Sequence, residues 1–444
     1  MHRMPFSSTL TIGFMLFALF FGAGNLVFPA MMGQFAGNQL WQANLGFLIT
    51  GVGLPLLGTL ALGFSGLKNL LALTNRVHPW FALGYTTLLY LTIGPLFAMP
   101  RTGSISYEIG FKPYIGSEHS SLGMAIFTVL FFGVTLLFSI NPARMVDIVG
   151  KILTPILITC ITILAIASFT LPMGELQQPE SGYASQAFFK GFQEGYLTMD
   201  ALAALVFGIL VINTIQAKGV TERKSILSVC FRATLIAASM LAVIYTSLAH
   251  MGATSVSVFG VLANGGEVLN LVTSHYFGTF GGFVLGIIVL LACLTTSIGL
   301  TTACSSYFQT IIPALSYRQL CIGLTVVSAL LANIGLEQLI QFSVPVLSIL
   351  YPLAIVLILL TFLHHLFQGK RAVYMVSLLL TFLISLVDGL EDTPLDIVQL
   401  SDWFNLYLPL YDLGLGWLIP ACAGGLIGLL LPEHSSMGPG RKKV

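Results

Sequence analysis

Phe20 to Pro29 reads FFGAGNLVFP, two glycines, an asparagine and a proline in the middle of an apolar run. That run, residues 9–33, is long enough to cross a bilayer core of about 30 Å as a helix. Polar backbone at membrane depth survives only where protein or a water-filled cavity satisfies it. Gly22 and Gly24 remove side-chain bulk and tolerate non-helical angles. Asn25 follows them, and Pro29 stands where a second helix could be in its first turn. A break here would offer free N–H groups and the positive end of a half-helix, suited to an anion such as a carboxylate. The same Gly-x-Gly also suits plain close packing of two helices. With 45 glycines in the chain, the stretch alone leaves both readings open.

The rest of the chain agrees with a membrane setting. Of 444 residues, 56% are hydrophobic and 8% are charged, against about 25% charged in a soluble domain. The formal net charge of +1, with scattered basic residues, gives no nucleic-acid footprint. Cys160, Cys230, Cys293, Cys304, Cys321 and Cys422 form no CxxC pair and read as small apolar residues. The first apolar run, after Arg3, lacks a convincing small-residue cleavage site and reads as a span, not a secretion signal.

A 20-residue ruler predicts about twelve transmembrane segments: 9–33, 43–65, 79–100, 121–139, 146–169, 193–215, 226–250, 277–306, 317–333, 338–363, 372–388 and 412–431. The fold class is an all-α integral membrane protein, 1–444 forming one polytopic domain. With the N-terminus inside, only Arg101, Lys112 and Lys190 of the 18 Lys and Arg fall in outer loops, as the positive-inside rule favours. The stretch from Asp388 to Asp412, acidic and without Lys or Arg, falls outside. Both termini are then cytoplasmic.

Segment six carries a second anomaly. YLTMDALAA, Tyr196 to Ala204, places Asp200 in an apolar run with Thr198 beside it. A carboxylate at the bilayer centre costs about 2.5–3.5 kcal/mol on insertion scales, so it should face a cavity, a cation or a proton relay, unless it lies near the headgroups. Segments one and six correspond if the first ten spans are two five-span repeats, the second inverted. Breaks at matching positions of such repeats point to a transport site. On that reading residues 1–170 are the first repeat, 190–365 the second, 370–431 two additional helices and 432–444 a cytoplasmic tail.

Segment eight supplies the third feature, LACLTTSIGLTT from Leu291 to Thr302. Threonine hydroxyls with exposed carbonyls can ligate a hard alkali cation, although threonine in a membrane helix commonly bonds its own i−4 carbonyl. Arg101, with Glu108 seven residues on, reads as a juxtamembrane charge pair or an outer gate. No HExxH, GxSxG or phosphate-cradling loop is present. A membrane enzyme would need a nucleophile–base or metal constellation, and a channel usually needs rings of repeated subunits. A secondary transporter fits best.

Three stretches carry a family likeness: GFMLFALFFGAGNLVFPAMMGQFAG (Gly13 to Gly37), IGPLFAMPRT (Ile93 to Thr102) and ACLTTSIGLTTACSSYF (Ala292 to Phe308). The chain resembles, over nearly its whole length, the branched-chain amino acid:cation symporters of bacteria, and more distantly the LeuT-type fold of five-plus-five inverted repeats. The resemblance implies import of leucine, isoleucine and valine with a cation, generally Na⁺, across the inner membrane, with no cofactor. Proton coupling and a broader neutral amino acid range are the alternatives. It implies that Gly22, Gly24 and Asn25 meet the substrate carboxylate and an adjacent cation. Thr198 and Asp200 would flank the substrate, Asp200 near its ammonium or a cation. Thr295 and Thr296 hydroxyls would bind Na⁺ with carbonyls of Ala18, Phe21 and Ala292. An acidic residue at Asp200 departs from the distant neurotransmitter-type relatives, where neutral residues are usual.

Overall fold

A computed structural model describes residues 4–114, 120–141, 153–393 and 398–432. Among them there is no β-strand, and eight helices are long and apolar enough to cross a membrane. Four shorter apolar helices, Phe6–Phe20, Thr154–Thr170, Tyr317–Ala332 and Leu418–Leu430, accompany them. Taken along the chain, these elements give the twelve expected spans.

Span one is split into Phe6–Phe20 and Ala23–Ala36. Span two runs Leu40–Leu48, a widened turn Ile49–Gly53, then Leu54–Ser65. Span three runs Pro79–Leu91, a widened turn Thr92–Leu96 containing Pro95, then Ala98–Gly110. It begins where the His78 side chain accepts from the Trp80 amide and Pro79 takes the first helical turn. Spans four and five are Ser120–Ser139 and Thr154–Thr170. Span six, Asp200–Ala217, is approached through the helix Ser181–Glu194 and a tight turn Gly195–Thr198. Spans seven to twelve are Arg223–Phe259, Thr279–Ile311, Tyr317–Ala332, Leu336–Leu363, Arg371–Glu391 and Leu418–Leu430. Spans nine and ten part at Gly335, whose φ of +110° needs glycine. Residues 146–152 of the fifth expected segment, the basic residues Arg3, Arg144 and Lys151, and the 433–444 tail lie outside the described residues.

Lipid tails are as apolar as leucine, so membrane helices associate through close packing, and small residues allow the closest approach. That device holds the core here. Gly33, in the second half of span one, and Gly252, in span seven, face each other's helix. A Cβ on Gly33 would run into the Ala249 carbonyl, and one on Gly252 into the Ala30 carbonyl. Gly46 of span two and Gly191 of the Ser181–Glu194 helix likewise meet the Phe188 and Ala43 carbonyls. The last two spans are appended to the rim. Gly424 and Gly428 of span twelve sit against Ser377 and Val373 of span eleven, whose Gly389 meets the Pro345 carbonyl of span ten.

Candidate functional site

Span one loses its helix at Phe21 and Gly22, with φ/ψ of −73°/89° and −120°/−156°. The break is therefore slightly earlier than Gly22–Gly24, and Gly24 lies in the first turn of the second half-helix. Asn25 caps that turn: its Oδ1 accepts from the Gly22 amide at 3.0 Å. The first amides of the Ala23–Ala36 half-helix have no intrahelical acceptor and carry its positive end.

The path into span six breaks at Met199, between the Gly195–Thr198 turn and the helix proper, a non-glycine residue held left-handed at φ +64°. Such a conformation persists only where the surroundings enforce it. It ends the Gly195–Thr198 turn and starts the next helix at Asp200. Thr198 is held inside the turn, its hydroxyl donating to the Gly195 carbonyl at 2.9 Å and accepting from the Asp200 amide at 3.4 Å.

The two breaks face one another. A Cβ on Gly24 would lie 3.3 Å from the Leu197 carbonyl. Asn25 Nδ2 donates to Asp200 Oδ2 at 2.6 Å, and the Tyr245 hydroxyl of span seven donates to the same oxygen at 2.7 Å. Asn25 Nδ2 also donates to the Tyr245 hydroxyl. Asp200 and Asn25 are each only 2% exposed. A carboxylate in such a place is helped by the two donors on its Oδ2, since hydrogen bonds to a charged group contribute about 1.5–3 kcal/mol each.

Span eight closes the third side. A Cβ on Gly22 would come within 2.8 Å of Thr296 Oγ1. Thr295 Oγ1 donates to the Ala18 carbonyl at 3.0 Å and the Ala292 carbonyl at 2.9 Å, and Thr296 Oγ1 to Ala18 at 3.3 Å. The Thr295 and Thr296 hydroxyls thus gather on the Ala18 carbonyl at the end of the first half-helix. By contrast Thr301 and Thr302 bond their own i−4 carbonyls, at 2.8 Å each. Phe21 sits in the break, its ring stacked 5.2 Å from Phe17 and 6.5 Å from Tyr245. Its non-helical ψ of 89° turns its carbonyl out of the helical ladder.

Gly22, Gly24, Asn25, Thr198, Asp200 and Thr296 all line one cavity of about 30 Å³. That is on the order of one or two water molecules, so a larger solute needs the walls to part. Its apolar side is built from Phe20, Ile93, Ala203, Phe207 and Leu300, with the Phe20 and Phe207 rings 5.8 Å apart.

Sequence reasoning missed three residues here. Tyr245 carries no signal in a 37-residue helix, since nothing in spacing relates it to Asp200. Met199 marks the break of span six, which was placed only by its acidic neighbour. The positive-inside rule places Arg101 in an outer loop, yet span three continues to Gly110 and the Arg101 side chain lines the cavity, 2% exposed. Glu108 pairs with Lys112 instead.

A model of the branched-chain amino acid transport protein family matches residues 6–435. This chain belongs to that family. As a member of the branched-chain amino acid transport family it is a membrane transporter and not an enzyme. It is 54% identical to the branched-chain amino acid permease BrnQ of Bacillus subtilis, covering 97% of this chain and 98% of the relative. It is 48% identical to the permease BraB of the same organism, over 97% and 96%. The BrnQ permease of Escherichia coli K12 is 38% identical, over 94% of each chain. Among solved structures, the nucleobase-cation-symport-1 transporter Mhp1 matches with a TM-score of 0.63 at 13% identity, over 95% of this chain and 91% of that one. MhsT, solved with L-phenylalanine, matches with a TM-score of 0.57 at 17% identity, over 94% and 98%. At these identities the likeness is one of fold, the LeuT-type arrangement of broken helices with two further helices.

Proposed function

We propose that this protein imports leucine, isoleucine and valine across the cell membrane by symport with Na⁺. The observation that carries the reading is the meeting of two broken spans and a hydroxyl-bearing third span at one buried cavity. The amides after Gly22 face the substrate carboxylate, and Asp200 with Thr198 faces the ammonium. The Phe20, Ile93, Phe207 and Leu300 wall takes an aliphatic side chain. Na⁺ sits among the Thr295 and Thr296 hydroxyls and the carbonyls of Ala18, Phe21 and Ala292. Apolar walls discriminate weakly, about 1–3 kcal/mol per methylene, so a single site serves all three branched substrates. The relatives' names as branched-chain amino acid permeases support the substrate.

In this reading residues 1–170 and 190–365 are the two inverted repeats, residues 370–431 are accessory, and both termini are cytoplasmic. Binding of substrate and cation together draws the half-helices of spans one and six onto the solute. That closes one side of the cavity before the other opens. A second reading, proton coupling, is favoured by Asp200, a buried carboxylate hydrogen-bonded to Asn25 and Tyr245 in the cavity wall.

Uptake of labelled leucine into proteoliposomes separates the two. An inward Na⁺ gradient at equal pH should drive accumulation. Accumulation driven by a proton gradient alone, and indifferent to Na⁺, would assign the coupling to H⁺.

A further inference from the structure

Arg101 is a guanidinium at membrane depth whose contacts leave it electrically unmatched. It sits in the second half of span three, 2% exposed. Nη1 donates to the Leu197 carbonyl at 2.9 Å and Nη2 to Ser343 Oγ at 2.6 Å. Ser343 Oγ in turn donates to the Ile340 carbonyl at 2.9 Å, so both acceptors are neutral. The guanidinium carbon lies 5.4 Å from the centre of the Phe28 ring, which offers only a weak negative face. Nε is buried and has no hydrogen-bond partner. Among the described residues the one ion pair is Lys112 with Glu108, so no carboxylate lies within 4.0 Å of Arg101.

Arginine stays charged even when buried, and an unpaired charge inside a membrane protein marks a pathway or a ligand. Arg101 shares the cavity wall with Asp200, Gly22 and Gly24. We propose that Arg101 binds the carboxylate of the transported amino acid, so that the site recognises a zwitterion by one fixed charge at each end. This rests on the amino acid reading above and adds a side chain to the half-helix amides. The guanidinium has five N–H donors, of which the two contacts to Leu197 and Ser343 leave Nε and others free. The ledger of charge is then simple. Arg101 and Asp200 cancel in the site, the ammonium and carboxylate cancel in the solute, and any net charge moved is that of the coupling cation. Because the same guanidinium holds the Leu197 carbonyl in the turn leading into span six and Ser343 of span ten, a carboxylate bound to it is tied to the segments that must close over the cavity.

The test compares L-leucine with leucinamide, which keeps the ammonium and side chain but lacks the carboxylate. Affinities are read as ligand-induced shifts in melting temperature of the purified protein. Wild type should prefer leucine strongly. Arg101→Gln should weaken leucine at least tenfold and leave leucinamide within about threefold of wild type, collapsing the preference. A purely structural clasp predicts that both ligands weaken in proportion, and that outcome, or an unchanged preference, overturns the proposal. If Arg101→Gln does not fold, Arg101→Lys decides, since it keeps a cation in place. It should weaken leucine while leaving leucinamide within about threefold of wild type, so that the preference narrows without vanishing, and equal loss of both overturns the proposal. If wild type binds no branched-chain amino acid, the functional reading itself fails. Leucine binding in wild type with unchanged preference in the variants fails only the role of Arg101.

Discussion

Asp200 was visible in the sequence as a carboxylate where hydrocarbon was expected, and Asn25 as the polar residue after Gly-x-Gly. What joins them, the Tyr245 hydroxyl on the same Asp200 oxygen, was not, because the pairing spans 45 residues and two helices. Asp200→Asn keeps the shape and removes the charge. It should lower leucine uptake at least tenfold while the protein still reaches the membrane, and near-normal uptake would remove Asp200 from the site. Tyr245→Phe leaves a carboxylate short of one donor. A bond to a charged group is worth about 1.5–3 kcal/mol, so thermal unfolding of the purified protein should show a loss of stability of about that size, and an unchanged melting temperature would show that Tyr245 does not hold the carboxylate. The threonines of span eight show where sequence reading stops. Thr295 and Thr301 lie on one apolar helix, yet Thr295 reaches the Ala18 carbonyl whereas Thr301 bonds back to Ser297. The difference is made by which neighbour stands opposite, not by the residue. Thr296→Ala should shift the Na⁺ titration of uptake to higher concentrations with little effect on leucine affinity at saturating Na⁺.

At the scale of the element, the break in span one was legible from its glycines and the break in span six only from the acidic residue after it. Met199 gave no sign, since nothing about a methionine predicts a left-handed backbone. That conformation costs of order 1–3 kcal/mol and is steeper for a β-branched side chain. Met199→Gly should therefore assemble and retain measurable transport, and Met199→Ile should lose transport, although isoleucine is at home in a membrane. Equal activity of the two would show that the break tolerates ordinary helix. The contact of span one with span seven makes a separate demand. Gly252→Val would push a side chain into the Ala30 backbone, which no rotamer change relieves. Thermal unfolding in detergent should show a clear loss of stability or an absence of monodisperse protein.

For the whole molecule, the number of spans and the appended final pair were readable from apolar length, because a bilayer imposes one length on every crossing. The location of Arg101 was not readable. Counting basic residues treats each as a loop marker, and a single arginine that serves the cavity looks the same as one that serves the headgroups. The small-residue contacts that bring spans one, two and seven together with the Ser181–Glu194 helix were also hidden, since 45 glycines offer far more pairings than the fold uses. Transport by this chain requires one arrangement, two interrupted helices and the hydroxyls of span eight facing the same solute. A cryo-EM reconstruction of the protein in lipid nanodiscs with leucine and Na⁺ tests it most directly. The arrangement predicts solute density touching the Ala23–Asn25 amides and Asp200, with an ion beside Thr295 and Thr296. A continuous helix through Phe21 and Gly22, with leucine bound elsewhere, would contradict it.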